Sequence, residues 1–268
     1  MRKDIKEEIS DQIIRKAKEF GASSAGIASV EALKESPSHL IYGRMGEYRA
    51  VGSGEGPTGL GKVAWPGNAK CAIVIAVLHP QANPELDWWK TGYFGGTRGN
   101  RMLLSTNSQL SHWLEEKKRV RTIELSYHIE HGGIFLKDAA VMAGLGCIGK
   151  NNLLVTPEFG PRVRLRAMVT DEVLPCTGPI EFDPCEECSA PCMAACPKEA
   201  FRKKIYSEDD FGLDQLPGRT GVFSKQLCHE QMRVDEDRPE NVEVDGELEP
   251  GKWISYCRRC ELACPVGR

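Results

Sequence analysis

The chain has 268 residues, 27% of them charged and 41% hydrophobic, with a formal net charge of −3. That composition describes an ordinary globular protein with room for one domain and a smaller companion, and it gives no reason to expect non-specific attraction to nucleic acid or anionic lipid. No apolar run approaches the roughly 20 residues that span a bilayer, and MRKDIKEEISDQIIRK at the N-terminus has neither a signal peptide's apolar stretch nor a twin arginine; a cytoplasmic protein with no membrane partner is expected.

Residues 4–20 predict an amphipathic helix, with Ile5, Ile9, Ile13, Ile14, Ala17 and Phe20 on one face and Gly21 placed to stop it. ASSAGIASV at 22–30 reads as a short strand, and CAIVIAVL at 71–78, apolar throughout, as a buried one. Between them, seven glycines from Gly43 to Gly61 predict a long loop, and long loops in compact domains are usually functional or disordered. GYFGGTRGN at 92–100 is a second glycine-rich loop, leading into a helix around 102–118. FLKDAAVMAGLG reads as helical, NNLLVTP and RVRLRAMVT (162–170) as strands. In the last, Val163, Leu165, Ala167 and Val169 face one way and Arg162, Arg164 and Arg166 the other, which is expected to be a solvated face. The acidic DEDRPENVEVDGELEP (235–250) reads as an exposed loop. Strands mixed with helices make the first 170 residues an α/β or α+β domain.

Of eleven cysteines, only Cys71 and Cys147 lie in the first 170 residues; nine fall in the last 93. In a cytosolic chain of this size such a concentration points to metal rather than disulfides. The first run is Cys185-x2-Cys188-x3-Cys192-x3-Cys196-Pro197; the second is Cys257-x2-Cys260-x3-Cys264-Pro265, one short of four, with Cys228 upstream to complete it. Two-cluster ferredoxins take the fourth ligand of each [4Fe–4S] cluster from the Cys-Pro of the other run. The expected sets are therefore Cys185, Cys188, Cys192 and Cys264, and Cys196, Cys228, Cys257 and Cys260. The x3 between Cys188 and Cys192 is one residue longer than usual. Structural zinc also uses CxxC pairs, but it does not require two Cys-Pro endings after x3 spacing. Two clusters make a path for single electrons.

Gly144-Leu-Gly146-Cys-Ile-Gly149 matches G-x-G-x-x-G, yet it follows a helix and precedes a strand, the reverse of a dinucleotide fingerprint. It reads as a tight turn whose glycines let backbone approach something flat or bulky, or as a plain packing turn.

With these residues in view, DAAVMAGLGCIGKNNLLVTPEFGPRVRLRAMVTDEVLP followed by two ferredoxin-type runs resembles the epoxyqueuosine reductases and their relatives, the reductive dehalogenases. AKEFGASSAGIAS and WPGNAKCAIVIAVL add weaker matches. The resemblance implies a nitroreductase-like cobalamin-binding domain, 1–172, and a ferredoxin-like domain with two [4Fe–4S] clusters, 173–268. It implies an oxidoreductase in which a low-potential donor of ferredoxin or flavodoxin type feeds the clusters, and Co(I) of a base-off cobalamin acts on the substrate while a nearby acid supplies a proton. Counting back from the glycine turn, the family's proton-donor aspartate falls at Glu130, flanked by His128 and His131; a surface glutamate is the alternative. Gly144, Gly146, Cys147, Ile148, Gly149, Lys150 and Asn152 become candidates for cofactor contact. The chain departs from the family in two ways. Cys147 stands where the family has tryptophan, and the sequence stops four residues after Cys264, where epoxyqueuosine reductases continue into a helical-repeat domain that helps hold tRNA. With no basic surplus either, tRNA is not expected as a partner, and the substrate is unnamed. Two other readings are an electron carrier without cobalamin and a reductive activator of a partner's corrinoid.

Overall fold

The computed structural model describes residues 2–44, 63–92, 96–212, 216–242 and 251–268, with the side chains of the first helix from Glu8 onward. Most of the glycine-rich loop expected at 43–61, the middle of 92–100, and 243–250 of the acidic run lie outside the described residues. In chain order the first elements are α1 (Arg2–Glu19), β1 (Ser24–Ser29), α2 (Val30–Lys34), α3 (Pro37–Ile41), β2 (Cys71–Leu78) and β3 (Trp88–Lys90). Then come α4 (Arg98–Trp113), β4 (Thr122–Glu124), α5 (Leu136–Met142), β5 (Cys147–Ile148), β6 (Leu154–Val155) and β7 (Val163–Thr170). The cysteine-rich part carries α6 (Pro191–Ala194), α7 (Glu208–Phe211), α8 (Lys225–Glu236), β8 (Glu240–Val242), β9 (Gly251–Ser255) and α9 (Arg259–Leu262).

The main sheet has the order β1-β2-β7-β4 and is antiparallel throughout. β2 is apolar at every position because it is central and both its faces are covered. Ile73 and Ile75 meet Ile13 and Ala17 of α1 and Leu103 and Leu110 of α4. Ala72, Val74 and Ala76 meet Ala139 and Ala140 of α5. The small residues on that second face let α5 lie close to the sheet. The result is an α+β layered fold. Helix α4 begins at Arg98, ahead of the expected 102, because Thr97 Oγ1 accepts the Asn100 N–H at 3.0 Å and caps it. Among the described residues no helix is long and apolar enough to cross a membrane.

A buried polar knot ties α3 to α5. Asp138 accepts from Ser36 Oγ (2.9 Å), Ser38 Oγ (2.9 Å) and Ser38 N–H (3.0 Å). His39 Nδ1 meets Ser36 Oγ at 2.7 Å, and its Nε2 accepts the Phe135 N–H at 3.2 Å. Burial pushes His39 down to about 4, so the ring is neutral. The three residue types match a hydrolytic triad, but the serine lies between acid and imidazole and its hydroxyl is consumed; the knot is structural.

The arginine face of β7 is not solvated. Arg162 is 5% exposed and Arg166 6%. Alternation along the strand holds, but the second face is covered by α4 and the C-terminal cysteine run. Arg162 Nη1 donates to Glu261 O at 3.4 Å and Cys264 O at 3.3 Å, and Nη2 to Val266 O. Arg164 spans Asp87 (3.0 Å) and Glu261 (3.0 Å). Arg258 joins Asp87 at 2.8 Å, pairs with Glu261 and donates to His79 O at 2.7 Å. Arg166 donates to Asn100 Oδ1 at 2.7 Å and lies over the Tyr127 ring.

The acidic run is also more ordered than a loop. Asp235 and Glu236 close α8, and Glu240–Val242 is strand β8, paired with β9, which pairs with β3 from the first half of the chain. Asp235 Oδ2 accepts the Cys257 N–H at 2.9 Å, so its charge serves the second cysteine run.

Glu261 is 4% exposed and faces two guanidiniums. Removing one charge from a buried network leaves the others uncompensated, so Glu261→Gln should cost about 3–5 kcal/mol. Urea unfolding of the metal-free protein reads it.

Candidate functional site

The eight thiols expected as ligands gather in two groups of four. Cys185, Cys188, Cys192 and Cys264 line one small cavity, so the last cysteine of the second run joins three of the first. Burial pushes Cys192 up to about 11, and Cys264, Cys185 and Cys188 add to it. Cys264 is raised by burial and by Cys185 and Cys188. Cys228 is raised to about 11 by burial with Cys196 and Cys257 adding, and Cys260 to about 12 by burial with Cys228, Cys257 and Cys196 among its neighbours. Short helices make this grouping: α6 carries Cys192, α9 carries Cys260, and α8, capped by Ser224 Oγ on the Leu227 N–H (3.3 Å), carries Cys228.

Among the described residues no three thiol, imidazole or carboxylate groups converge on a point that one metal ion could occupy. A zinc ion would draw four sulfurs to about 2.3 Å from a single centre. Four thiols ringing a cavity suit a cubane, in which each binds a different iron. The donor set fits a [4Fe–4S] cluster at each group.

The glycine turn is wedged between the two groups. A Cβ on Gly149 would lie 3.5 Å from Cys185 Sγ. Lys150 Nζ donates to Cys188 O at 3.0 Å, and Asn151 Nδ2 to Cys260 O at 3.4 Å. Asn152, at φ 55°, accepts from Lys137 Nζ through its backbone O (2.6 Å) and its Oδ1 (2.9 Å). The backbone that Gly144 and Gly146 approach is the chain's own. Gly144, φ 79°, packs on Thr177 and Gly178; Gly146, φ 157°, would place a Cβ 2.0 Å from Val155 O. Cys147 and Ile148 form β5, paired with β6, and the half-buried Cys147 thiol is raised to about 11 by burial and by Cys185. Cys147 is thus a fifth thiol beside the first group. Asn151 was not singled out from sequence; its place inside the G-K-N-N turn was the available signal.

Glu130 sits in a one-turn helix at 129–131, partly buried, and His131 is exposed. Around it are Tyr42, His128 and Lys225. Burial raises Tyr42, and Glu130 adds to the rise; burial lowers His128, and Glu130 opposes the fall. Burial brings Lys225 down to about 8 against the pull of Glu130, and Lys137 down to about 8 against Asp138 and Cys228. His128 Nδ1 is buried and has no hydrogen-bond partner among the described residues. This polar group adjoins the second thiol group, because Lys225 precedes Cys228 by three residues on α8 and Lys137 neighbours Cys228. The helical spacing of Lys225 and Cys228 was legible in the sequence; the approach of Lys137 from α5 was not.

No family model matches the chain. An epoxyqueuosine reductase of Bacillus anthracis is 29% identical over 207 residues, covering 73% of this chain and 53% of that protein. The crystal structure of an epoxyqueuosine reductase with an epoxyqueuosine-modified tRNA-Tyr stem loop superposes with TM-score 0.62 at 20% identity, over 98% of this chain and 66% of that one. The chain resembles the epoxyqueuosine reductases. A catabolic reductive dehalogenase shares the fold at TM-score 0.56 and 18% identity, over 94% of this chain and 31% of the dehalogenase. The chain spans about half the length of the curated relative it matches. The fold is therefore the α+β fold with cysteine-rich extension that the sequence resemblance implied.

One expectation is overturned. Excluding tRNA as a partner does not stand, since a similar solved structure holds a modified tRNA stem loop and aligns with nearly all of this chain. A net charge of −3 sums over the whole molecule and is blind to the sign of any one surface.

The turn separates packing from cofactor contact by mutation. Gly146→Ala should destabilise the cofactor-free protein strongly, because both φ and the contact with Val155 O forbid a side chain. Lys150→Met, which removes the bond to Cys188 O, should cost about 1 kcal/mol, and urea unfolding of the cofactor-free protein reads both.

Proposed function

We propose that this chain is an oxidoreductase of the epoxyqueuosine reductase type, with a corrinoid and substrate part at 1–172 and an electron-transfer part at 173–268. The second part holds two [4Fe–4S] clusters, one on Cys185, Cys188, Cys192 and Cys264 and one on Cys196, Cys228, Cys257 and Cys260. The observation that carries the reading is the meeting of Cys264 with the three cysteines of the other run around one cavity, the crossed pattern that two-cluster ferredoxins use.

The group beside the second set suits a corrinoid in chemical kind. Lys225 and Tyr42 are donor types that an amide-rich periphery takes, and His128 Nδ1 is a buried polar atom that makes no hydrogen bond among the described residues. A dehalogenase of the same fold is described as acting through B12. Cobalamin, when bound, supplies the low-valent cobalt that makes such reductions accessible.

The chain's own residues then divide the work. The two thiol sets would hold the clusters, whose chemistry is the transfer of single electrons. Glu130 is the carboxyl placed to pass a proton to the substrate, with Lys225, brought down to about 8, beside it as a cation at neutral pH. Lys137 fixes Asn152 and so keeps the turn between the two sets. Lys150 anchors the loop of the first set through Cys188 O. Epoxyqueuosine in a tRNA stem loop is the substrate to test first, because the similar proteins are reductases of that nucleoside.

Protein reconstituted without oxygen should carry about eight irons and eight sulfides and retain one cobalamin. Cys264→Ala with Cys228→Ala discriminates the ligand sets. Crossed sets lose both clusters, whereas runs that each serve their own cluster lose one and keep about four irons. Glu130→Gln should reduce turnover of the modified stem loop by about 10²-fold or more with iron and cobalamin content unchanged. Two clusters without retained cobalamin would leave an electron carrier and sink the reductase reading.

A further inference from the structure

The two cluster sites sit in different charge environments, and residues 216–221 create part of that difference. Leu216 and Arg219 form an isolated bridge, Gly221 N–H donates to Pro217 O at 3.2 Å, and Gly218 packs on the Asn152 side chain. Within this tight turn Arg219 adopts φ 73°, a left-handed conformation that a long side chain seldom takes. From there Nη1 donates to Asp183 Oδ1 at 2.8 Å and Nη2 to Asp183 Oδ2, and Nη1 reaches Ile148 O at 3.5 Å. The same Asp183 Oδ1 accepts the Cys185 N–H at 3.0 Å. Ile148 leads directly to Gly149, whose missing Cβ would lie 3.5 Å from Cys185 Sγ. The guanidinium is therefore locked against the Cys185 corner of the first set from two sides, and it is only 24% exposed. Its own protonation is favoured first by Asp183, and Cys185 and Cys147 add to that.

A cluster gains negative charge when it is reduced. A cation held close by, partly shielded from water, makes that state more accessible; an anion opposes it. We propose that the Arg219–Asp183 pair sets the reduction potential of the cluster on Cys185, Cys188, Cys192 and Cys264, with Arg219 favouring the reduced state and Asp183 restraining it. The turn between the two cysteine runs is then a tuning device, and the strained backbone of Arg219 serves to place a charge.

This inference rests on the cluster reading proposed above. The test is an anaerobic redox titration of the full chain, followed by EPR, in the Cys228→Ala background, where only the first cluster remains. Arg219→Gln should shift the reduced-to-oxidised ratio at a fixed potential at least tenfold towards the oxidised form, 59 mV for a one-electron couple. Arg219→Lys should restore most of it, and Asp183→Asn should move the potential in the opposite direction. A cluster that stays intact with its potential unmoved in Arg219→Gln overturns the proposal while leaving the cluster reading intact. If Arg219→Gln fails to hold the cluster, Asp183→Asn decides: a rise supports the proposal, and no change or a fall overturns it. A parent chain that binds no iron overturns the cluster reading and the proposal together.

Discussion

The rest of the structure depends on a buried ionic network at the end of β7. Arg164 and Arg258 share Asp87 and Glu261, and Arg162 beside them takes the backbone carbonyls of Glu261, Cys264 and Val266. Two partly buried guanidiniums and two carboxylates compensate one another, and the third guanidinium is satisfied by carbonyls at and just beyond the end of α9. Such a network need not add much net stability. What it supplies is a defined position: the second cysteine run is held against the central sheet by groups that have no equally good alternative partners.

That position is what brings thiols of the two runs together. Cys264 must reach three cysteines some seventy residues earlier in the chain, while Cys257 and Cys260 serve the other set. Asp235 on α8 fixes the start of the run through the Cys257 N–H, and Arg162 fixes its end. The turn at 149–152 fills the gap, touching the first set through Gly149 and Lys150, the second through Asn151, and α5 through Asn152. The fold thus places this turn between the two groups of thiols.

How far the sequence carried the reading depends on the range of each interaction. The β2 strand matched its expected limits at 71–78, since a continuous apolar run needs two covered faces and nothing else. The grouping of the thiols follows the spacing of the two cysteine runs, which lies in the chain itself. The arginines of β7 were misjudged for the opposite reason. Their alternation was visible, but their partners Asp87, Arg258 and Glu261 lie far away in sequence, and only the tertiary structure shows that the polar face is covered. The same holds for the glycine turn, where periodicity gave the helix-to-strand order but not the identity of the surface approached. The acidic run was read from charge alone, yet its first residues bond the cysteine run and its strand β8 completes a small sheet. Excluding tRNA failed because a summed charge was asked a question about one surface.

The raised thiols bear on how such a site is assembled. Without metal, burial holds Cys192, Cys228 and Cys260 well above the usual thiol range, so at neutral pH these three are uncharged. Cluster binding then requires each of these thiols to lose its proton, so insertion couples to proton release. The negative charge this creates lands beside cations already in place, Arg219 at the Cys185 corner and Lys137 at Cys228. Lys137, brought down to about 8 by burial, holds its proton more firmly once Cys228 is a thiolate. Arg219 and Lys137 thus make the sites electrostatically complementary to the thiolates that cluster binding would create.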